Sequence, residues 1–132
     1  MPGHYILNSD HTTVEVSELK WTNWMRFNSR RVAHDTILGV EISTVFLGID
    51  HNYDIVGAPV LFETLTFGLP EESQITNRYC TWAEAVDGHE RTKEVIVKKM
   101  GTSEEVAKES SIIISQLKNV NDGQYLPRKI QL

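Results

Sequence analysis

The stretch from Val40 to Phe67, VEISTVFLGIDHNYDIVGAPVLFETLTF, constrains this chain more than any other. It reads as two apolar strands joined by a polar loop. From Val40 to Ile49 the residues are mostly β-branched or aromatic, types that suit a pleated, buried surface. Val40, Ile42 and Phe46 fall on one parity, and Val45, Leu47 and Ile49 on the other. Apolar residues on both parities predict a central strand buried on both faces. Pro59 cannot donate to a ladder and suits the start of the second strand, Val60–Phe67. Upstream, Arg31–Ile37 reads as a third strand that turns back at Leu38-Gly39, where glycine supplies the permissive backbone of a tight hairpin. The expected product is a three-stranded antiparallel meander over 31–67.

In that register Val32, His34 and Thr36 share a face with Ser43, Val45, Leu47 and Ile49, joined by Leu61, Glu63, Leu65 and Phe67. Glu63 is then a carboxylate among apolar neighbours, where an unpaired charge is costly. It needs a partner (His34, an arginine or a ligand) or an open sheet edge.

The flanking segments supply cover. His4–Leu7, the turn Asn8-Ser9-Asp10 and Thr12–Val16 read strand, turn, strand. Ser17 suits the N-cap of a helix across Glu18–Asn28, with Trp21, Trp24 and Met25 recurring at helical spacing toward the sheet. Paired tryptophans of this kind serve core packing, or a stacking platform for a base or sugar. Gly68–Asn77 is polar without a period and reads as an exposed loop. Thr81-Trp82-Ala83-Glu84 has the spacing of a capping box, opening a helix to Met100 with Trp82, Ala85, Val86, His89, Ile96 and Met100 on one side. Gly88 reads as a weak point there, costing about 1 kcal/mol relative to alanine. Gly101 ends that helix, and Thr102 or Ser103 caps a last one carrying Val106, Ser110, Ile113 and Leu117 before an irregular tail, 119–132. The predicted fold is one α+β domain over 1–132: an antiparallel sheet covered by two or three helices, with 101–132 as an added helix and tail.

Composition narrows the setting. With 132 residues and 40% hydrophobic content, one core is expected. The net charge is −5 and the basic residues form only isolated doublets, which disfavours direct nucleic-acid binding. The single cysteine, Cys80, allows no internal disulfide and fits a reducing cytoplasm. The apolar runs are too short for a membrane span, so a soluble, intracellular protein is expected.

Candidate chemistry is sparse. His34-Asp35 lies on a strand, so the two side chains take opposite faces and cannot chelate one ion. In the loop, Asp50 and His51 can reach one metal, with Glu63 or His89 completing the shell. The plainer alternative makes Asp50 a turn cap and His51 a loop residue. His89 on an apolar helix face is first a satisfied core histidine, and only then a ligand or base. Arg30-Arg31, between helix and strand, is first a solvated junction, and only then an anion site such as one for a nucleotide phosphate. Cys80 precedes a helix cap, a position that can lower a thiol pKa. The candidate ligand-binding residues are therefore Asp50, His51, Tyr53, Glu63, His89 and Arg31, with the identity of any cofactor open.

The run Ser43–Asn52, then Leu61-Phe62-Glu63-Thr64 with Phe67, then Tyr79, Thr81-Trp82, Glu84-Ala85 and Gly88-His89 resembles a family of small bacteriophage- and prophage-encoded proteins. The resemblance covers residues 1–100. It departs after His51, where the family has a Gly/Pro-rich turn and this chain has Tyr53-Asp54-Ile55-Val56. It implies a phage-type accessory protein in the host cell cytoplasm, a non-enzymatic binder of a host or phage protein that inhibits a host factor such as one of host defence. No catalytic residues come with it. The residues themselves leave an alternative: a small-molecule or nucleotide binder, or a small metal-dependent enzyme, built on the Asp50/His51 loop with Trp24 or Tyr53 stacking on a base. A homo-oligomer whose tail crosses between subunits is a third expectation.

Overall fold

The computed structural model describes residues 2–54 and 56–100. Strands β1 (His4–Leu7) and β2 (Thr13–Val16) form an antiparallel hairpin, with Ile6 opposite Val14. Its turn is braced by Asp10, whose carboxylate accepts from the Thr12 hydroxyl (2.6 Å) and amide (3.1 Å). Those bonds hold the Asp10 carboxyl below its usual range. Helix α1 (Glu18–Phe27) starts where Ser17 Oγ accepts from the Lys20 amide, and ends at Asn28, whose side chain donates to the Trp24 carbonyl.

Strands β3 (Arg31–Ile37), β4 (Val40–Phe46), β5 (Phe62–Phe67) and β6 (Thr76–Tyr79) make an antiparallel sheet in that order. Helix α2 (Trp82–Met100) packs across all four. The fold is α+β, as expected. The β3–β4 turn places Leu38 (φ +53°) and Gly39 (φ +82°) in the left-handed region, the backbone a two-residue hairpin turn needs to match strand twist.

Four expectations change. The polar stretch after Phe67 is not all loop: one 3₁₀ turn, Glu71–Ser73, leads into the edge strand β6. β4 is central but buried on one face only, with Val40, Ile42, Thr44 and Phe46 inward. Leu47 and Ile49 are apolar for another reason. Beyond Phe46 the chain stays bonded to the segment before β5, the Leu47 amide donating to Leu61 O (2.7 Å), and also meets β1, where the Tyr5 amide donates to Gly48 O (2.8 Å) and His4 bridges Ile49. Val32 does not share His34's face, because a bulge between Arg31 and Ala33 turns it into the core beside Phe46 and Phe62. Leu61 likewise lies fully buried in that cluster. His34, Ser43, Val45, Glu63, Leu65 and Phe67 do share the opposite face, through the pairs His34–Ser43, Ser43–Leu65 and Val45–Glu63. Gly101, the last helix and the tail lie outside the described residues.

The core has two apolar clusters. Ile37, Val40, Ile42 and Ile96 form one; Phe46, Leu61, Phe62 and Ala85 form the other. Between them, along β4, β5 and α2, sit Thr44, Thr64 and His89, all buried. The capping box forms as expected. Thr81 Oγ1 accepts from the Glu84 amide (3.1 Å), while Glu84 Oε1 accepts from the Thr81 and Cys80 amides. Thr81→Ala therefore lowers the urea midpoint by an amount equivalent to about 1 kcal/mol. An unchanged midpoint would mean that solvent satisfies those amides equally well.

Candidate functional site

The residues nominated from sequence do not assemble. Asp50 Oδ1 accepts from the Asn52 amide (2.8 Å) and the Val60 amide (2.9 Å), so this carboxylate closes the loop between β4 and β5. His51 Nδ1 donates to the Ile49 carbonyl (2.8 Å). Tyr53 stands 76% exposed near the His51 ring. Glu63, with its side chain 12% exposed, takes its cross-strand neighbour Arg78 as partner (2.9 Å). Of the partners considered for Glu63 an arginine is found, and His34 pairs with Glu41 instead. His89 lies under the other face of the sheet, bonded at both ring nitrogens. Asp50, His51, Glu63 and His89, the shell expected for a metal, are thus each bonded to other partners. Among the described residues no group of three His, Cys, Asp or Glu side chains is placed to hold an ion.

Cys80 also departs from expectation. Burial, and then the Glu84 carboxylate, push its thiol pKa up rather than down. The capping box has already claimed the amides that would have stabilised a thiolate.

What folding does assemble around His89 is a line of polar groups. Asp35 Oδ2 accepts from His89 Nε2 (2.8 Å), and Thr44 Oγ1 lies 2.7 Å from His89 Nδ1. Thr44 meets Thr64 (2.6 Å), and the Tyr79 hydroxyl donates to Thr64 Oγ1 (3.1 Å). A carboxylate only accepts, so Nε2 carries a proton. In the neutral imidazole Nδ1 then accepts from Thr44, which accepts from Thr64, which accepts from Tyr79. Every donor points the same way. The bond from His89, followed by the Lys93 ammonium, holds the Asp35 carboxyl below the usual carboxylate range. Carboxylate, imidazole and hydroxyl in line are the parts of a hydrolytic triad. Here the hydroxyl belongs to Thr44 at 0% exposure beneath α2, where no substrate reaches it, and the line holds helix to sheet.

A cleft of about 420 Å³ opens instead where the β1–β2 turn, the end of α1, the start of β3 and the first residue of α2 meet. Trp24 and Trp82 supply its rings, Asn8 and Asn28 its amides, and Arg31 its charge. Trp24 is set by its edge-on contact with Phe46 (5.7 Å, 83°), and Trp82 by an edge-on contact with Phe62 (6.2 Å, 85°). Both rings are thus anchored on core phenylalanines while still lining the cleft. Arg31, nominated from sequence, lies here with its guanidinium in no ion pair among the described residues. The His11 ring lies flat on Trp82, centroids 3.7 Å apart and planes 9° from parallel. Tyr53, Asp50, His51, Glu63 and His89 are not in its wall. Sequence reasoning found Trp24 and Arg31 singly. His11 and Trp82 are 71 positions apart and carry no local signal of their contact; the legible hint was a tryptophan at the mouth of a capped helix.

Among the described residues no helix is long and apolar enough to cross a membrane. Compared with family models, curated proteins and solved structures, the chain matches none.

Proposed function

We propose that this chain is a binding protein that captures, in the Trp24–Trp82–Arg31 cleft, a small ligand joining a flat ring to an anionic group. The observation that carries this reading is the convergence on one concavity of two anchored indoles and Arg31, which forms no ion pair among the described residues. Aromatic faces take flat rings of any sequence or substituent. A guanidinium gives an anion a forked, charge-assisted partner, and the flanking asparagines offer both donors and acceptors for the ring's edge. Nucleotide-like ligands have this chemistry. The resemblance to phage-encoded proteins supplies the setting: an accessory protein in a host cytoplasm, whose capture of such a ligand inhibits a host factor.

The test is isothermal titration calorimetry of the full chain against nucleotides and aromatic carboxylates, with Arg31→Ala beside the wild type. Arg31 is an exposed side chain, so its loss leaves the fold intact. Arg31→Ala should weaken binding about tenfold, the equivalent of one charge-assisted bond, and flatten its dependence on salt. Binding that ignores Arg31→Ala, or no binding across both ligand classes, would sink the reading.

A further inference from the structure

His11 occupies a peculiar position in the cleft just described. Its backbone is left-handed (φ +70°), a conformation that costs a non-glycine residue energy, yet the turn around it is firmly tied. The His11 amide donates to Asn8 O, Asn8 N donates to Thr12 O, and Asp10 holds Thr12 from both its amide and its hydroxyl. The imidazole, by contrast, makes no hydrogen bond among the described residues. Its ring contact among the described residues is the stack on Trp82, with the Asp10 carboxylate acting on it only electrostatically, and the residue is exposed. A flat heteroaromatic ring therefore already lies on the indole face, at the separation a stacked base would adopt, on a side chain that a rotation about χ1 can swing away without disturbing the turn.

We infer that His11 is a placeholder: it fills the seat on Trp82 that the ring of a nucleoside monophosphate takes, with the phosphate on Arg31, so that ligand entry requires the imidazole to leave. This rests on the cleft reading above and adds to it the ligand class and its control. The exchange trades one stacked ring for another, so the cleft stays covered when empty and the ligand binds more weakly by the worth of the stack it displaces. The seat holds an imidazole ring now, and Arg31 at the start of β3 lines the same cleft as His11 and Trp82.

The inference predicts a sign that an ordinary contact residue would not give. His11→Asn keeps a residue that tolerates the left-handed backbone but removes the ring. It should bind adenosine 5′-monophosphate about two- to tenfold tighter than wild type, the factor expected from deleting one aromatic stack that competes. His11→Tyr, with a larger ring, should bind no more tightly than wild type. Ribose 5-phosphate, lacking the base, should respond to neither change. Calorimetry on the three full-length proteins reads all of this, with circular dichroism spectra matched first. Weaker binding by His11→Asn would overturn the placeholder, making His11 a ligand contact and leaving the cleft reading in place. Binding of aromatic carboxylates but of no nucleoside monophosphate would overturn the ligand class. Failure of every ligand, with Arg31→Ala indistinguishable from wild type, would overturn the cleft reading itself and this inference with it.

Discussion

His89→Ala lowers the stability of the folded chain by about 3–5 kcal/mol in urea titration, the range for emptying a large buried side chain. The imidazole is 1% exposed and fills the gap between the two apolar clusters. Its removal leaves a cavity between Ala85 and Ile96 and takes from Thr44 the acceptor for its hydroxyl. A buried polar group left without a partner costs about 1–3 kcal/mol. Asp35, with its side chain 37% exposed, rehydrates more readily, so most of the loss comes from the buried side of the line. The acid limb of stability follows from the same contact. Asp35 is held below its ordinary range first by the bond from His89 and then by Lys93, so the unfolded chain takes up this proton at a higher pH than the folded one. The stabilisation is complete above the ordinary carboxylate range and drains away as pH falls through the lower, folded pKa. Asp35→Asn should therefore flatten this part of the curve when urea midpoints are followed downward from neutral pH. An undiminished slope in Asp35→Asn would place the acid sensitivity elsewhere, and a His89→Ala chain as stable as wild type would mean that water rebuilds the line.

Much of the scaffold was legible because its signals are local. The Ser17 cap, the capping box at Thr81 and Glu84, and the Leu38-Gly39 turn are each decided by a few adjacent residues, and each forms as the sequence reads. The facing of the meander was legible wherever strict alternation holds. It failed at Val32, because a bulge inserts one residue and reverses parity from that point. β6 was missed because Thr76, Asn77 and Arg78 are exposed on an edge strand, and an edge needs no apolar period to be a strand. The double-sided apolar pattern of Val40–Ile49 came from a chain that, past Phe46, stays bonded to the segment before β5 while also meeting β1. The candidate site was the least legible part. Asp50, Glu63 and His89 looked chemically rich one by one, but each is consumed by a partner that only folding supplies. Trp82 and His11 looked unremarkable and meet across the molecule.

Gly88 inverts a local rule, and its substitution should show this. Within a helix, glycine to alanine ordinarily stabilises by about 1 kcal/mol. Here Gly88 is buried against the Tyr79 ring, and a Cβ built on it would overlap the ring's edge and hydroxyl. The ring has little freedom to retreat. Tyr79 is paired with Phe62 in the sheet, its side chain packs against the Phe46–Phe62 cluster, and its hydroxyl donates to Thr64. Gly88→Ala should therefore destabilise by about 1–3 kcal/mol, as overpacking does. Part of that loss should come from the hydroxyl line, since moving Tyr79 withdraws the donor to Thr64. A double-mutant cycle separates the causes. In a Tyr79→Ala background the clash is gone, and Gly88→Ala should recover its helical benefit and turn neutral or stabilising. Gly88→Ala that stabilises the wild type outright would mean that α2 can slide on the sheet. In that case His89, the next residue along, could not be the fixed point on which the Asp35–Thr44–Thr64 line depends.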